Sequence, residues 1–396
     1  MGASRLADTH SNSAVSLVSS MIMEHASPVL ELETTSPEVK CYQRQKLSAI
    51  VAATALGLAY LAVLGFVAGP LIGHELTVIF GDREWLRLLA MAGLLAIGLE
   101  VLTSPIDFWS GFILEHRYQL SNQSLKSWIW KRLKGYLVGG ILGLAMLSGL
   151  YTIMWLGGEN WWLWTAGCWL LVTLVLGQLV PVVILPLFYK VTRLEDPGLA
   201  ERLQKLAAGT GLTLEGVYRL HLSAETKKAN AALAGLGRTR RVLLGDTLLE
   251  QFTPEEIEVV FAHEVGHHVH RHLPKMVAVS VLLATAGFWL VDWTLHRLTG
   301  VLGYAGFSDP AALPLVLLVL SLLGLLLSPL QNALSRFFER QCDRYALDRT
   351  GLRDAYRAAF VKLARINKSD PDPHPLVAWL FYDHPPIRER LAMAGP

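Results

Sequence analysis

The chain has 396 residues, of which 52% are hydrophobic and only 17% charged, with a mean hydropathy of +0.38; this excludes an ordinary soluble domain and points to a membrane protein. The net charge of +2 says nothing about nucleic acid, but no basic patch interleaved with aromatics appears, and no nucleic-acid partner is expected. Cys41, Cys168 and Cys342 show neither CxxC spacing nor an even disulfide set. They fit a reducing compartment and are not expected to bind metal.

In chain order, residues 1–46 read as a disordered tail. The first forty are rich in Ser, Thr and Glu, and the apolar stretch at Val15–Met23 is too short to span and lacks a positive flank. Six runs then approach or exceed the roughly 20 apolar residues a crossing needs: Leu47–Gly69, Leu86–Leu102, Tyr136–Leu156, Trp161–Leu187, Met276–Leu295 and Ala311–Leu330. Trp85, Trp155, Trp161, Trp162 and Trp293 lie near their ends, as interfacial anchors do. Glu100, inside the second run, is expected to face water or a partner, unless it simply lies near a helix end.

The division that follows is a four-span membrane domain at 47–187, a catalytic segment at 188–275, two further spans at 276–330 and a C-terminal segment at 331–396. Lys and Arg concentrate before Leu47, in 103–135, in 188–275 and after Leu330. The positive-inside rule therefore places both termini and the catalytic segments in the cytoplasm.

Within 188–275, Leu199–Ala208 predicts an amphipathic helix and Val217–Leu222 a strand. Ala229–Ala234 and Val242–Leu244 predict a hairpin about the turn at 235–239, with Asp246 capping a helical turn. Thr253-Pro254-Glu255-Glu256 reads as a helix start with a capping box, and the apolar period continues to Pro274, which is expected to end the helix. His263-Glu264-Val265-Gly266-His267 sits inside it. Residues i and i+4 share a helix face, so both imidazoles can reach one metal ion, with Glu264 beside them as general base. A His-rich helix without metal, or with a structural metal, is the alternative. His268, His270 and His272 lack an adjacent glutamate and read as surface or supporting groups. The strand at 229–234 either pairs with an extended peptide through its free edge or merely covers the helix.

A catalytic zinc site needs a third protein ligand and an open position. Glu339 is the candidate, four residues before Asp343 on one face of a predicted helix over 332–348, where Asp343 would orient a ligating histidine. The alternative is surface pairing with Arg336, Arg340 and Arg344.

Several motifs in order resemble the Ste24-type CAAX prenyl protease family of integral-membrane zinc metallopeptidases (peptidase family M48). They are 114–125 (LEHRYQLSNQSL), 230–235 (NAALAG), Leu248-Leu249-Glu250 before the metal helix, Ser335-Arg336 through Glu339 and Asp343, and 384–391 (HPPIRERL), over roughly residues 45–392. The resemblance implies a mainly α membrane protein: about six transmembrane helices forming a chamber, with a small α/β zinc-peptidase domain inserted and completed by the C-terminal segment. It implies one Zn2+ per chain on His263, His267 and Glu339, Glu264 as base and Asp343 in support. Asn230, Ala231 and Gly235 would hold the substrate backbone, and His384 and Arg390 would line the cleft and stabilise the oxyanion. Partners would be peptide or protein substrates, lipidated or not, and the bilayer. Lys227-Lys228 and Ala232-Leu233 depart from the family pattern and leave specificity open, between CAAX-type processing and membrane-protein quality control. A transporter is disfavoured by the uniform apolar runs, and an inactive scaffold by the intact set of ligands and base.

Overall fold

The computed structural model describes residues 36–395 apart from 236, 238 and 239. The tail at 1–35 and most of the hairpin turn lie outside the described residues. Six helices are long and apolar enough to cross a membrane: α1 (Pro37–Phe80), α2 (Glu84–Arg117), α3 (Leu125–Leu156), α4 (Gly158–Phe188), α8 (His272–Leu302) and α9 (Pro310–Thr350). Between α4 and α8 come β1 (Val191–Arg193), α5 (Pro197–Ala207), β2 (Gly216–Leu220), β3 (Ala231–Ala234), β4 (Arg241–Gly245), α6 (Asp246–Leu249) and α7 (Pro254–Val269). After α9 follow α10 (Arg353–Ile366), α11 (Pro375–Phe381) and α12 (Ile387–Met393).

Residues 37–46, placed in the tail by composition, are instead the first turns of α1. Ser36 caps them, its hydroxyl accepting from the Glu38 amide at 3.2 Å, and Pro37 takes a first-turn position where its missing N–H costs nothing. At about 1.5 Å per residue the 44 residues of α1 far exceed the bilayer core. A π-turn at Leu64–Ala68 precedes Pro70, and the helix runs on where the apolar count had stopped.

In the membrane domain, Leu88, Met91, Tyr151, Trp161, Val291, Leu295 and Leu315 form a buried cluster. Arg87 closes one end of it by pairing with Asp309 at 2.9 Å. Elsewhere the apolar windows expose most of their surface, with between 6% and 39% of each window buried. That fits helices facing lipid or an internal space. Glu100 has a partner: Arg132 on α3 bridges it at 2.8 Å and Asp107 at 3.0 Å.

The sheet has the order β1-β2-β4-β3, with β2 and β4 parallel and the outer pairs antiparallel. The expected hairpin is present, with Ala231 opposite Leu244 and Ala234 opposite Arg241. A second core, including Leu203, Val242, Leu244, Leu248, Phe261, Val265, Ala346 and Ala359, packs the sheet and α5 onto α7, α9 and α10. Gly245, not Asp246, is the N-cap of α6. The buried Asp246 carboxylate accepts from the amides of Leu222, Ser223 and Thr247 and from the Ser223 hydroxyl at 2.6 Å. Burial alone would raise its pKa, but these bonds hold it below the usual carboxylate range.

The 114–125 segment clasps the chain ahead of β3. Lys227 N–H donates to Leu120 O at 2.9 Å, Asn122 N–H to Glu225 O at 2.9 Å, and Ser121 bridges Thr226. Beneath this clasp the buried Glu115 accepts from Tyr42 at 2.9 Å and pairs with Lys46 at 2.5 Å and Lys228 at 2.8 Å. Glu115→Ala removes the acceptor shared by all three. The lysines are a third exposed, so the expected cost is about 1–3 kcal/mol. Thermal unfolding in detergent should show it, with faster proteolysis at 222–230; an unchanged midpoint and cleavage pattern would refute this role.

Candidate active site

Helix α7 begins with the predicted capping box: the Thr253 amide donates to Glu256 Oε2 at 2.8 Å, and the Glu256 amide to Thr253 Oγ1 at 3.3 Å. Phe261, Ala262 and Val265 are fully buried on the core side, which turns His263, Glu264 and His267 to the opposite face. Pro274 does not end this helix. It ends at Val269, Arg271 takes a left-handed φ of 55°, and Pro274 falls in the first turn of α8, where a missing N–H is tolerated.

The sixth membrane helix continues unbroken into the site, so α9 itself delivers Glu339 and Asp343. It crosses α7 at Gly266, where a Cβ would lie 3.0 Å from Cys342 Cα. A side chain there would have to displace α9 by a few tenths of an ångström. Across the contact His263 Nε2 lies 3.1 Å from Glu339 Oε2 and His267 Nε2 3.2 Å from Glu339 Oε1.

The tautomers follow from what the other ring nitrogens touch. His263 Nδ1 donates to Asp343 Oδ1 at 2.9 Å, leaving a lone pair on Nε2. His272 Nε2 donates to Gln341 Oε1 at 2.9 Å, so its Nδ1 accepts from His267 Nδ1 at 3.1 Å, and His267 Nε2 is left bare as well. Both lone pairs point at Glu339, whose buried Oε2 has no hydrogen-bond partner among the described residues. The donor set lacks a positive charge at its centre. Burial would lower the His263 pKa, yet Asp343 and Glu339 outweigh it and raise it to about 9. A proton or a metal cation meets that demand, and the residues fit a metal.

His263, His267 and Cys342 also offer ligand atoms within 4.8 Å of one another. The thiol is thus closer to the site than its spacing in sequence had indicated. It lies 3.6 Å from His272 Nδ1, on the side of the imidazoles already occupied by partners. The free Nε2 atoms favour Glu339. His272, expected to be a surface or supporting group, is buried and supports His267.

Arg390, from α12, is buried against the same group. Its guanidinium grips Asp343 through Nε at 2.9 Å and Nη2 at 2.5 Å, lies 3.7 Å from Glu339 and covers the Phe360 ring at 3.9 Å. His384 reaches the site from the preceding loop, with Nε2 3.5 Å from Glu339 Oε2 and Nδ1 bonded to Asp383 at 2.8 Å. That bond raises its pKa. Sequence reasoning gave Arg336 no place here, yet it donates to Ala378 O at 3.0 Å and to Tyr382 O, tying down the loop that carries His384. Its position three residues before Glu339 was the available signal. His263, Glu339, His384 and Arg390 line a cavity of about 350 Å3 together with Asn230, Ala231 and Glu264.

Strand β3 is an edge. Gly245 N–H donates to Asn230 O at 2.9 Å, so even-numbered residues bond inward to β4 while the main-chain groups of Ala229, Ala231 and Leu233 face out. The Asn367 carboxamide closes the first of these, accepting from Ala229 N–H at 3.0 Å and donating to Ala229 O at 3.3 Å. Asn230 therefore spends its carbonyl within the sheet, Gly235 (φ 92°) starts the turn, and the outward pair is Ala231 and Leu233.

An HExxH helix facing a buried carboxylate, carried among six membrane-capable helices, defines a membrane metallopeptidase. Residues 193–394 match the model of peptidase family M48, and residues 27–190 match that described as CAAX prenyl protease N-terminal, five membrane helices. The chain belongs to peptidase family M48 and is an integral-membrane metalloprotease. Over the second match the described residues hold four long helices. A Bacillus subtilis protein named uncharacterized metalloprotease YhfN is 30% identical over 78% of this chain and 74% of its own. The rice CAAX prenyl protease 1 homolog is 31% identical over the same shares. The crystal structure of S. mikatae Ste24p superposes with a TM-score of 0.80 at 25% identity, covering 91% of this chain and 88% of that one.

Gly266→Ala should separate α7 from α9 by several tenths of an ångström and pull Glu339 away from the imidazoles. The expected outcome is weaker metal retention on dialysis and about a hundredfold loss of peptidase activity. Wild-type retention and rate would show that the close crossing is dispensable.

Proposed function

We propose that the protein is a zinc metalloendopeptidase in which His263, His267 and Glu339 hold the metal. The observation that carries this is the convergence of the His263 and His267 Nε2 atoms, at 3.1 and 3.2 Å, on one buried carboxylate. Zinc, when bound, supplies a Lewis acid that activates water and polarises a carbonyl. Glu264, half-buried on the cavity wall beside the ligands, takes the proton from the attacking water and returns it to the leaving amine. His384, whose Nδ1–H donates to Asp383, presents Nε2–H to the developing oxyanion in its doubly protonated form, which its raised pKa favours, a role worth about 3 kcal/mol in the barrier. Arg390 acts through Asp343, fixing the carboxylate that sets the His263 tautomer.

A substrate segment would add to the sheet at Ala231 and Leu233, read mainly through its main chain. The relatives named CAAX prenyl proteases suggest C-terminal, lipidated segments. An apolar cavity of about 550 Å3 between β3 and α4, lined by Leu233, Leu243, Val180, Pro181 and Leu185, supports an apolar group beside the scissile segment. Because the strand reads main chain, quality control of unfolded membrane segments is the second reading, and prenylation should improve apparent affinity rather than be required.

Glu264→Ala should keep stoichiometric zinc and lose hydrolysis, whereas His263→Ala and Glu339→Ala should lose most of the metal. Metal analysis of purified variants decides it: no zinc in the parent, or full activity in Glu264→Ala, would overturn the mechanism. Paired peptides with and without a farnesyl group should both be cleaved, the first at lower KM. Strict dependence on the lipid would favour dedicated CAAX processing.

We infer from the charge asymmetry that the catalytic segments and both termini face the cytoplasm. Reporter fusions after Lys190 and at the C-terminus should read cytoplasmic, and those near Asp82 and Glu159 external. An external reading at Lys190 would refute this orientation.

A further inference from the structure

Behind the metal helix, away from the substrate cavity, lies a separate cavity of about 680 Å3 between the 209–211 loop, the end of the hairpin and the start of α8. Its wall carries Arg240, Arg271, Arg349, His267 and His268, and no aspartate or glutamate. None of the three arginines pairs with a described carboxylate within the 4.0 Å that defines an ion pair. Arg240 is half-buried and donates from Nη1 to the His268 Nδ1, a neutral acceptor that brings no negative charge. Arg349 secures the loop by donating to Leu206 O at 3.2 Å and Ala208 O at 3.0 Å. Arg271 stands at the junction with the membrane helix in a left-handed conformation that non-glycine residues rarely adopt, so a helix-breaking turn holds its charge there.

Concentrated guanidinium charge without counter-charge is costly unless an anion supplies it, and planar forks suit phosphate oxygens. The rim adds a second feature. Leu273 and Val269 are 46% and 38% exposed and line the same cavity, beside the first turn of a membrane helix. Cationic floor and apolar rim together match an amphipathic anion at the membrane interface.

We propose that this cavity binds the phosphate of an anionic phospholipid headgroup, with Arg240 and Arg271 as its principal contacts. It lies apart from the peptide cleft but adjoins the metal site, because His267 lines its wall, and it does not depend on which peptide is cleaved. An occupied site would brace the turn that joins the metal helix to the membrane.

The test is thermal unfolding of the full-length, metal-loaded protein in detergent, titrated with short-chain phosphatidylglycerol, short-chain phosphatidylcholine or inorganic phosphate. Phosphatidylglycerol should raise the midpoint saturably and phosphatidylcholine should do so far less. In Arg240→Gln/Arg271→Gln the apparent affinity should fall at least about tenfold. If the double variant does not fold, Arg271→Gln alone, at an exposed side chain, should still weaken it severalfold. An equal shift from inorganic phosphate would identify a free-phosphate site and overturn the lipid source. No shift with phosphatidylglycerol, or an undiminished shift in the variants, would overturn the proposal.

Discussion

Everything at the site depends on the crossing of α7 and α9 at Gly266. The two helices come from segments separated by a membrane hairpin, and they meet so closely that a Cβ at position 266 would lie 3.0 Å from the Cys342 backbone and push the helices apart by a few tenths of an ångström. That contact places Glu339 and Asp343, both buried, opposite His263 and His267. Buried carboxylates need positive charge nearby. Arg390 supplies it to Asp343, and the imidazole group supplies it to Glu339 through a proton or a metal. Packing and electrostatics therefore require the same geometry, and neither would be stable without the other.

Much of this was legible in the sequence because its signals are local. The capping box, the i, i+4 histidines, the six apolar runs and the hairpin strands each depend on residues a few positions apart, and each has its counterpart in the structure. Boundaries set by tertiary partners were not legible. Residues 37–46 look polar enough for a tail, but Tyr42 packs on Tyr118 and bonds Glu115, which makes them helix. Pro274 reads as a terminator, whereas the chain turns earlier at Arg271 and uses the proline to start the next helix.

Sequence reasoning gave Asp343 a supporting role beside a ligating histidine and put Arg390 in the cleft at the oxyanion. Asp343 and Arg390 bind each other, so their influence on chemistry runs through the His263 ring. Arg336 and His272, given smaller roles or none, hold the His384 loop and the His267 tautomer. No spacing rule reveals such partners, because they are defined by which helix lies against which. The same holds for strand parity: the inward bond of Asn230 is fixed by one hydrogen bond from Gly245.

The short reach of β3 bears on a different problem. An exposed sheet edge invites pairing with any extended chain, including another copy of the same protein, and long flat edges promote aggregation. Here the carboxamide of Asn367 occupies the ladder position at Ala229, and the turn at Gly235 ends the other side. Among the described residues only Ala231 and Leu233 remain to pair outward. Two positions set over a reactive centre can align a peptide, yet offer too little ladder to nucleate a β-sheet between molecules. Under the proposed function, grip on a substrate and protection against self-assembly would derive from the same brevity.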